Sequence, residues 1–245
     1  MEKCKRGFTH WVFTRYNLLD DKTSIYNNPA IPDPVDWMRH RTELFEKYTL
    51  PSMKAQTCKN FTWLLSFAKQ TPYYLIPVKH WDYSNIKIIY EYPRTFLRNC
   101  YLFGKFNKGD WIITTRLDND DFLEPNYIRE VQNYLKEPPN FPCLIVDTDG
   151  VQWDIQTDKF YTTDRRTNNS PFLSFIEKVG TDWNSLSTGE LITEPLKTCF
   201  YCSHTNMINH FPSLKIQKKL YRMVIHDRNI SNKIVGEEII YKDSK

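Results

Sequence analysis

This sequence predicts an α/β fold built on a mainly parallel central sheet flanked by helices, and three observations carry that reading. First, strand-like and helix-like stretches alternate with short connections from Phe8 to about Leu135, the order expected of a sheet wound by right-handed crossovers. Second, Trp111–Leu117 (WIITTRL) is largely apolar and β-branched, as a strand covered on both faces must be. Third, that strand runs into Asp118-Asn119-Asp120-Asp121, which places three carboxylates at the strand end where open α/β sheets hold ligands.

Each element has its own signal. Phe8–Thr14 is a first strand, with Arg15 at its C-terminal end in reach of a base or a phosphate. A polar, Pro-punctuated loop, 17–35, follows it. Asp36 is the expected cap of a helix whose Trp37, Arg41, Leu44, Phe45 and Tyr48 recur at helical spacing, and Pro51 ends or kinks that helix. Phe61–Phe67 and Ile86–Tyr90 read as strands, and Arg94–Phe106 as a helix carrying Arg98 and Asn99. Beyond the carboxylates, Ile128, Val131 and Leu135 share a helix face, which Pro138-Pro139 stops. The second half is mixed: a strand at Cys143–Val146, a hairpin over Val151–Ile155 and Lys159–Thr162, and a polar loop at Arg165–Ser170. A short helix is expected at Pro171–Lys178, a loop over Gly180–Glu190, a strand at Thr198–Cys202, a brief helix near Thr205–His210 and a last strand at Lys219–Ile225.

Composition narrows the function. With 245 residues, 40% hydrophobic, the chain can bury a sizeable core, and one large domain accounts for it. The net charge of +4 does not call for nucleic acid, though it suits a phosphorylated substrate. No stretch approaches the ~20 apolar residues of a membrane span, and the charged opening Met1–Gly7 is unlike a secretory leader. The six cysteines form no disulfide-like framework, so the expected setting is reducing and cytoplasmic. Cys199-x-x-Cys202 with His204 and His210 matches no usual zinc spacing.

Like charges crowded as at Asp118–Asp121 repel, and a divalent cation relieves them; Mg²⁺ and Mn²⁺ favour oxygen ligands. The plainer alternative is a solvated turn in which Asp118 or Asp121 caps the next helix. An EF-hand is excluded, because its sixth loop position falls on Leu123 rather than Gly.

Five stretches, in this order, resemble the rhamnosyltransferase family of GT-A-fold glycosyltransferases. They are Phe13–Asn17 (FTRYN), Leu44–Gln56 (LFEKYTLPSMKAQ), Phe61–Leu65 (FTWLL), Thr114–Asp121 (TTRLDNDD) and Val224–Asn232 (VIHDRNISN). The resemblance spans roughly Phe8 to Asn232 and implies a single GT-A domain, with a nucleotide-binding half at about 8–121 and an acceptor-side half at about 122–232. It implies a metal-dependent transfer of a sugar, L-rhamnose by the family name, from a nucleotide-diphosphate donor of UDP or dTDP type to a glycan acceptor, with inversion. Asp118-Asn119-Asp120 would be the DxD motif, with Asp118 nearer the ribose, Asp120 on Mn²⁺ or Mg²⁺, and His226 as a further ligand. Asp118 is also a candidate metal ligand, and Arg15, Arg98, Arg116, Asp118 and Asn119 are the candidate donor contacts. The chain departs from the family pattern after the second strand, where Phe67-Ala68-Lys69-Gln70 stands in place of an acidic residue.

Such a reaction builds negative charge on the departing nucleoside diphosphate, which a cation and arginines stabilise as it develops. Inversion also needs a base for the acceptor hydroxyl. Asp147, Asp149, Asp182 and Glu190 are the candidates, with Asp149 preferred because it follows a strand close in order to the carboxylate strand. Three rivals remain. Leu144–Val151 (LIVDTDGV) mimics the nucleophile motif of haloacid-dehalogenase phosphatases, yet fewer than 100 residues follow Asp147 where such a core needs ~100–150 or more. A sugar nucleotidyltransferase of the same fold would want a Gly-rich phosphate loop that Phe8–Asn17 lacks. A non-catalytic carbohydrate-binding module would have no use for the crowded carboxylates.

Overall fold

The structure, a computed structural model, describes residues 7–20, 23–77, 84–163, 172–229 and 233–241. The expected polar loop Arg165–Ser170 and the end of the 226–232 segment lie outside the described residues. Strands β1 (Phe8–Arg15), β2 (Thr62–Ser66), β3 (Ile86–Ile89) and β4 (Trp111–Arg116) all pair in parallel, in the order β3-β2-β1-β4. The apolar run of β4 is explained by its place in the sheet: Ile112 and Ile113 are fully buried on opposite faces, and the strand has a neighbour on both sides.

The strand beyond β4 overturns one expectation. Residues Leu173–Lys178 form β9, inserted antiparallel between β4 and β6 (Cys143–Asp147), where a helix was predicted. Leu173 through Glu177 are buried on both faces, so the run shows no two-residue alternation to mark it as a strand. Strand β12 (Ser213–Ile216) then pairs parallel to β6 and completes a seven-stranded sheet, β12-β6-β9-β4-β1-β2-β3. This is the mainly parallel sheet expected from the sequence.

The mixed extension is a five-stranded sheet. Its order is β14 (Glu238–Ile239), β8 (Lys159–Thr162), β7 (Val151–Asp154), β13 (Tyr221–Ile225) and β5 (Phe122–Leu123), so the predicted hairpin is β7–β8. A short strand, β10 (Trp183–Asn184), lies within the segment expected to be a loop and pairs with β11 (Leu191–Ile192) just beyond it. Leu123 and Tyr221 from the second sheet bury in the same apolar cluster as Val12 and Ile113 from the first.

Helix α1 (Pro34–Leu44) is capped by Asp33, not Asp36: its carboxylate accepts the N–H groups of Val35 and Asp36, and Pro34 fills the first turn. Pro51 does not end the helix. The chain widens into a π-turn over Phe45–Thr49 and continues as α2 (Leu50–Lys54), which accommodates the N–H that Pro51 lacks. Helices α3 (Pro93–Leu102), α4 (Tyr127–Asn133) and α5 (His204–His210) lie close to where the sequence put them.

The predicted strand Thr198–Cys202 is a turn instead. Thr198 takes φ 60°, and the buried Glu177 carboxylate accepts the N–H groups of Lys197 and Thr198 at 2.9 and 2.8 Å. An apolar run held this way buries without joining a sheet: Cys199 and Phe200 are in the core. Among the described residues, no helix is long and apolar enough to cross a membrane.

Candidate active site

β1 and β4 run parallel side by side, so their C-terminal ends bring Arg15 and Arg116 to one edge of the sheet. The turns beyond them are tied together: Asn119 Nδ2 donates to the Tyr16 carbonyl at 2.7 Å, and Leu117 N–H to the Phe13 carbonyl at 2.9 Å. There the chain encloses a cavity of about 750 Å³, within the range of small-molecule and cofactor sites. Arg15, Arg116, Asp118, Asn119 and Asp120, read from the sequence as site residues, all line it.

The crowded carboxylates are answered one by one. Arg116 reaches Asp118 through Nη2, 3.1 Å from Oδ2, and through Nε, 3.3 Å from Oδ1. Burial alone would raise the Asp118 carboxyl, but Arg116 and Arg15 outweigh it and hold it at about 2. Burial likewise opposes ionisation of Asp120; the ion pair with Arg41 and the hydrogen bond from His226 hold its carboxyl below the usual range. Asp121 goes the other way. Burial, then the charges of Asp120 and Asp118, push it well above the carboxylate range, and its Oδ1 accepts the Val224 N–H at 2.8 Å, which fastens β13 to the site.

His226 and Asp120 meet directly, Nε2 to Oδ2 at 3.1 Å. His226 Nδ1 accepts the Arg228 N–H at 3.2 Å, so in a neutral ring without a cation Nε2 carries the proton and donates a hydrogen bond to Asp120; a cation on Nε2 would take that proton's place, and the ring proton would move to Nδ1 at the expense of the Arg228 contact. This pair fits a divalent cation by its donor set: one carboxylate oxygen and one imidazole nitrogen, both nearly fully buried. The spacing fits as well, since neighbouring ligands of an octahedral ion at about 2.1 Å lie about 3 Å apart. Two lining carboxylates each also meet a guanidinium, Asp118 that of Arg116 and Asp120 that of Arg41. Among the described residues, His40, His226 and Asp227 also bring ligand-type atoms within 4.8 Å of one another.

A family profile described as "Putative rhamnosyl transferase" matches residues 28–238. The chain belongs to this family. No curated protein matches it. Among solved structures, S. aureus TarS 1-349 in complex with UDP-GlcNAc is similar at 11% identity and a TM-score of 0.47, over 91% of this chain and 60% of that one. S. aureus TarS 1-349 without that ligand in its description matches at 11% identity and a TM-score of 0.44, over 89% and 60%. The chain thus spans 60% of the length of the solved chains it matches.

For this rhamnosyl transferase family member, three of the sequence-read residues are not part of the cavity lining: His226, which reaches the site through Asp120, and Arg98 and Asp149. Arg98 is exposed on α3 and is not part of the lining, because it lies on the solvent face of the helix that buries Leu97. Asp149 is also outside the lining. In the sheet β9 separates β6 from β4, which puts the end of β6 two strands, about 10 Å, from the carboxylate strand.

Asp147 is a buried structural group. Its carboxylate accepts the Asp149 N–H at 3.0 Å and the Leu220 N–H at 2.7 Å, and burial pushes it up to about 7. A carboxylate spent on backbone donors is no phosphatase nucleophile. Among the described residues, Cys199, Cys202, His204 and His210 do not bring their ligand atoms together: His204 Nδ1 faces Arg116 and His210 Nδ1 faces Ser185.

Arg41 and His204 are among the lining residues that the sequence reading did not place at the site. Arg41, from α1, stacks over Trp37 with 5.1 Å to the ring centroid while pairing with Asp120. His204, the first residue of α5, accepts a 3.0 Å hydrogen bond from Arg116. Helical spacing showed Arg41 only as part of a packing face. His204 stood in a zinc-like pattern that pointed elsewhere.

Proposed function

We propose that this chain transfers a sugar, L-rhamnose by the family's description, from a nucleotide-diphosphate donor to a glycan acceptor, with a divalent cation and with inversion at the anomeric carbon. The observation that carries the reading is the convergence of Arg15, Arg116, Asp118, Asn119 and Asp120 on one cavity at the C-terminal ends of β1 and β4. Family membership supports glycosyl transfer; the identity of the sugar, nucleotide and acceptor belongs to the proposal.

Asp120 and His226 are the residues that would hold Mn²⁺ or Mg²⁺. Such an ion, when bound, neutralises charge on the departing diphosphate. Asp118, held ionised by its arginines, is suited to accept hydrogen bonds from ribose hydroxyls. Arg15 and Arg116 offer planar guanidinium donors for phosphate oxygens. Trp37 gives the cavity an aromatic face against which a base or sugar ring can pack.

The test is a panel of UDP-, dTDP- and GDP-linked sugars incubated with the protein and Mn²⁺, with release of nucleoside diphosphate and formation of glycosylated product as the readouts. dTDP- or UDP-rhamnose should turn over with Mn²⁺ and stop with chelator. Absence of both release and donor binding across the panel would overturn the reading.

A further inference from the structure

One wall of the cavity carries a relay of three side chains. Asp118 accepts from Arg116, and Arg116 Nη1 donates to Nδ1 of His204 at 3.0 Å. A guanidinium only donates, so Nδ1 must present its lone pair, and a neutral imidazole then carries its proton on Nε2. The ring cannot reverse this without turning an N–H against the Arg116 N–H. His204 is therefore fixed as an N–H donor, and it has no free lone pair with which to act as a base. Its backbone is fixed too: Met207 of the same helix is fully buried, and Trp183 Nε1 donates to the His210 carbonyl at 3.0 Å.

The surroundings say what such a donor would meet. Arg15, Arg41 and Arg116 line the cavity with His204, and of the acidic groups there Asp118 is held by Arg116, Asp120 by Arg41 and His226, and Asp121 by the Val224 N–H, with Asp20 exposed at the rim. Guanidiniums and an imidazole N–H lining one cavity suit an anionic oxygen better than a hydroxyl. We propose that His204 Nε2–H hydrogen-bonds a diphosphate oxygen of the nucleotide-sugar, acting as a preoriented donor toward the leaving group. This rests on the nucleotide-sugar reading and adds to it a contact from the second half of the chain, 88 positions after Arg116. The charge that grows on the leaving oxygen strengthens the bond as the sugar departs, so the contact serves the transition state more than the bound substrate.

The experiment measures binding of UDP, dTDP and GDP by calorimetry in Mn²⁺, together with kcat and KM for the best donor between pH 6 and 9. The proteins are wild type, His204→Ala and His204→Gln. His204→Ala should weaken binding of the preferred diphosphate about tenfold and lower kcat by more than it raises KM. His204→Gln, whose amide keeps an N–H, should recover most of both with the pH profile of the wild type. Ring nitrogen resonances of ¹⁵N-labelled wild type should show a protonated Nε2 and an unprotonated Nδ1, a readout that does not depend on any variant folding. Diphosphate affinity unchanged in His204→Ala, or a proton on Nδ1, would overturn the proposal while leaving the glycosyltransferase reading standing. Loss of kcat in His204→Gln with normal diphosphate affinity and a missing acid limb would make His204 a base and overturn it as well. A wild type that binds none of the diphosphates sinks the nucleotide-sugar reading first, and the proposal with it.

Discussion

Nε2 of His226 lies 3.1 Å from Oδ2 of Asp120 although the two residues stand 106 positions apart in the chain. The turn after β4 and the end of β13 are held together by the Asp121–Val224 hydrogen bond. If this pair holds a cation, Mn²⁺ should raise the melting temperature of the wild type in a concentration-dependent way, and chelator should reverse it. Asp120→Asn keeps an acceptor for Arg41 but loses the charge. It should abolish that thermal shift and lower transfer by two orders of magnitude or more. His226→Ala should cost at least tenfold in Mn²⁺-dependent donor affinity while lowering the metal-free melting temperature by only a few degrees. A large fall in metal-free stability with unchanged donor affinity would return His226 to a purely structural role.

Gly150 ends the DTDG sequence that mimics a phosphatase motif, and the structure gives it a different reason to be glycine. A Cβ at this position would run into the ring of Tyr221, which is itself 2% exposed and packed on Phe172 with ring centroids 4.5 Å apart. Gly150→Ala must displace that ring or the β6–β7 connection. A loss of about 1–3 kcal/mol or more is expected from forced overpacking, read as a shift in the urea midpoint. Wild-type stability in this variant would show that the ring has room to move.

Arg222 of β13 sits in an aromatic enclosure, 4.5 Å from the Phe122 ring centroid and 4.8 Å from that of Tyr241, and its Nε donates to Glu124 at 2.6 Å. The Tyr241 hydroxyl donates to the same Glu124 oxygen at 2.9 Å, so the end of the described chain is clasped to the second sheet. Removing only the cation strands a buried carboxylate. Arg222→Met should therefore cost about 3–5 kcal/mol, whereas Arg222→Met combined with Glu124→Gln should recover much of it. Unfolding of both variants in urea separates the pair from the packing; equal losses in the two would assign the effect to the lost aromatic contacts.

What the sequence disclosed, and what it did not, follows one physical divide. The parallel strands β1 to β4 were legible because each has a continuous apolar run between polar turns, and the DxD-like cluster because its charges sit in consecutive positions. β9 was not, because burial on both faces erases the two-residue period that tells a strand from a helix. The 198–202 turn was not, because what bends it is a carboxylate 21 positions away, at Glu177. Arg41 and His204 escaped for the same reason: their roles come from Asp120 and Arg116, 79 and 88 positions away in the chain. Arg98 lies outside the lining because it faces solvent on α3, and Asp149 lies outside it because the inserted antiparallel strand separates β6 from β4, neither of which chain order discloses.

Acid should reveal the state of His10. Its ring is 3% exposed, Gln132 Nε2 donates to Nδ1 at 3.0 Å, and Nε2 lies 2.9 Å from Thr115 Oγ1. Burial lowers its pKa from 6.5 to about 3. Between those values the unfolded chain binds a proton that the native protein refuses, so this group makes stability fall as pH drops through that window. At pH 5 the contribution is about 2 kcal/mol of destabilisation relative to neutral pH. Asp147 and Glu177, raised by burial to about 7, act in the opposite sense: the native state holds their protons, and stability falls as pH rises toward 7. Both are present in any His10 variant, so they cancel in a comparison. His10→Gln cannot titrate. The stability of wild type minus that of His10→Gln should therefore fall by about 2 kcal/mol between pH 7 and pH 5, whichever protein is the more stable at pH 7. Urea unfolding of both at the two pH values measures it, and a difference that does not change with pH would mean that His10 takes up its proton in the folded protein.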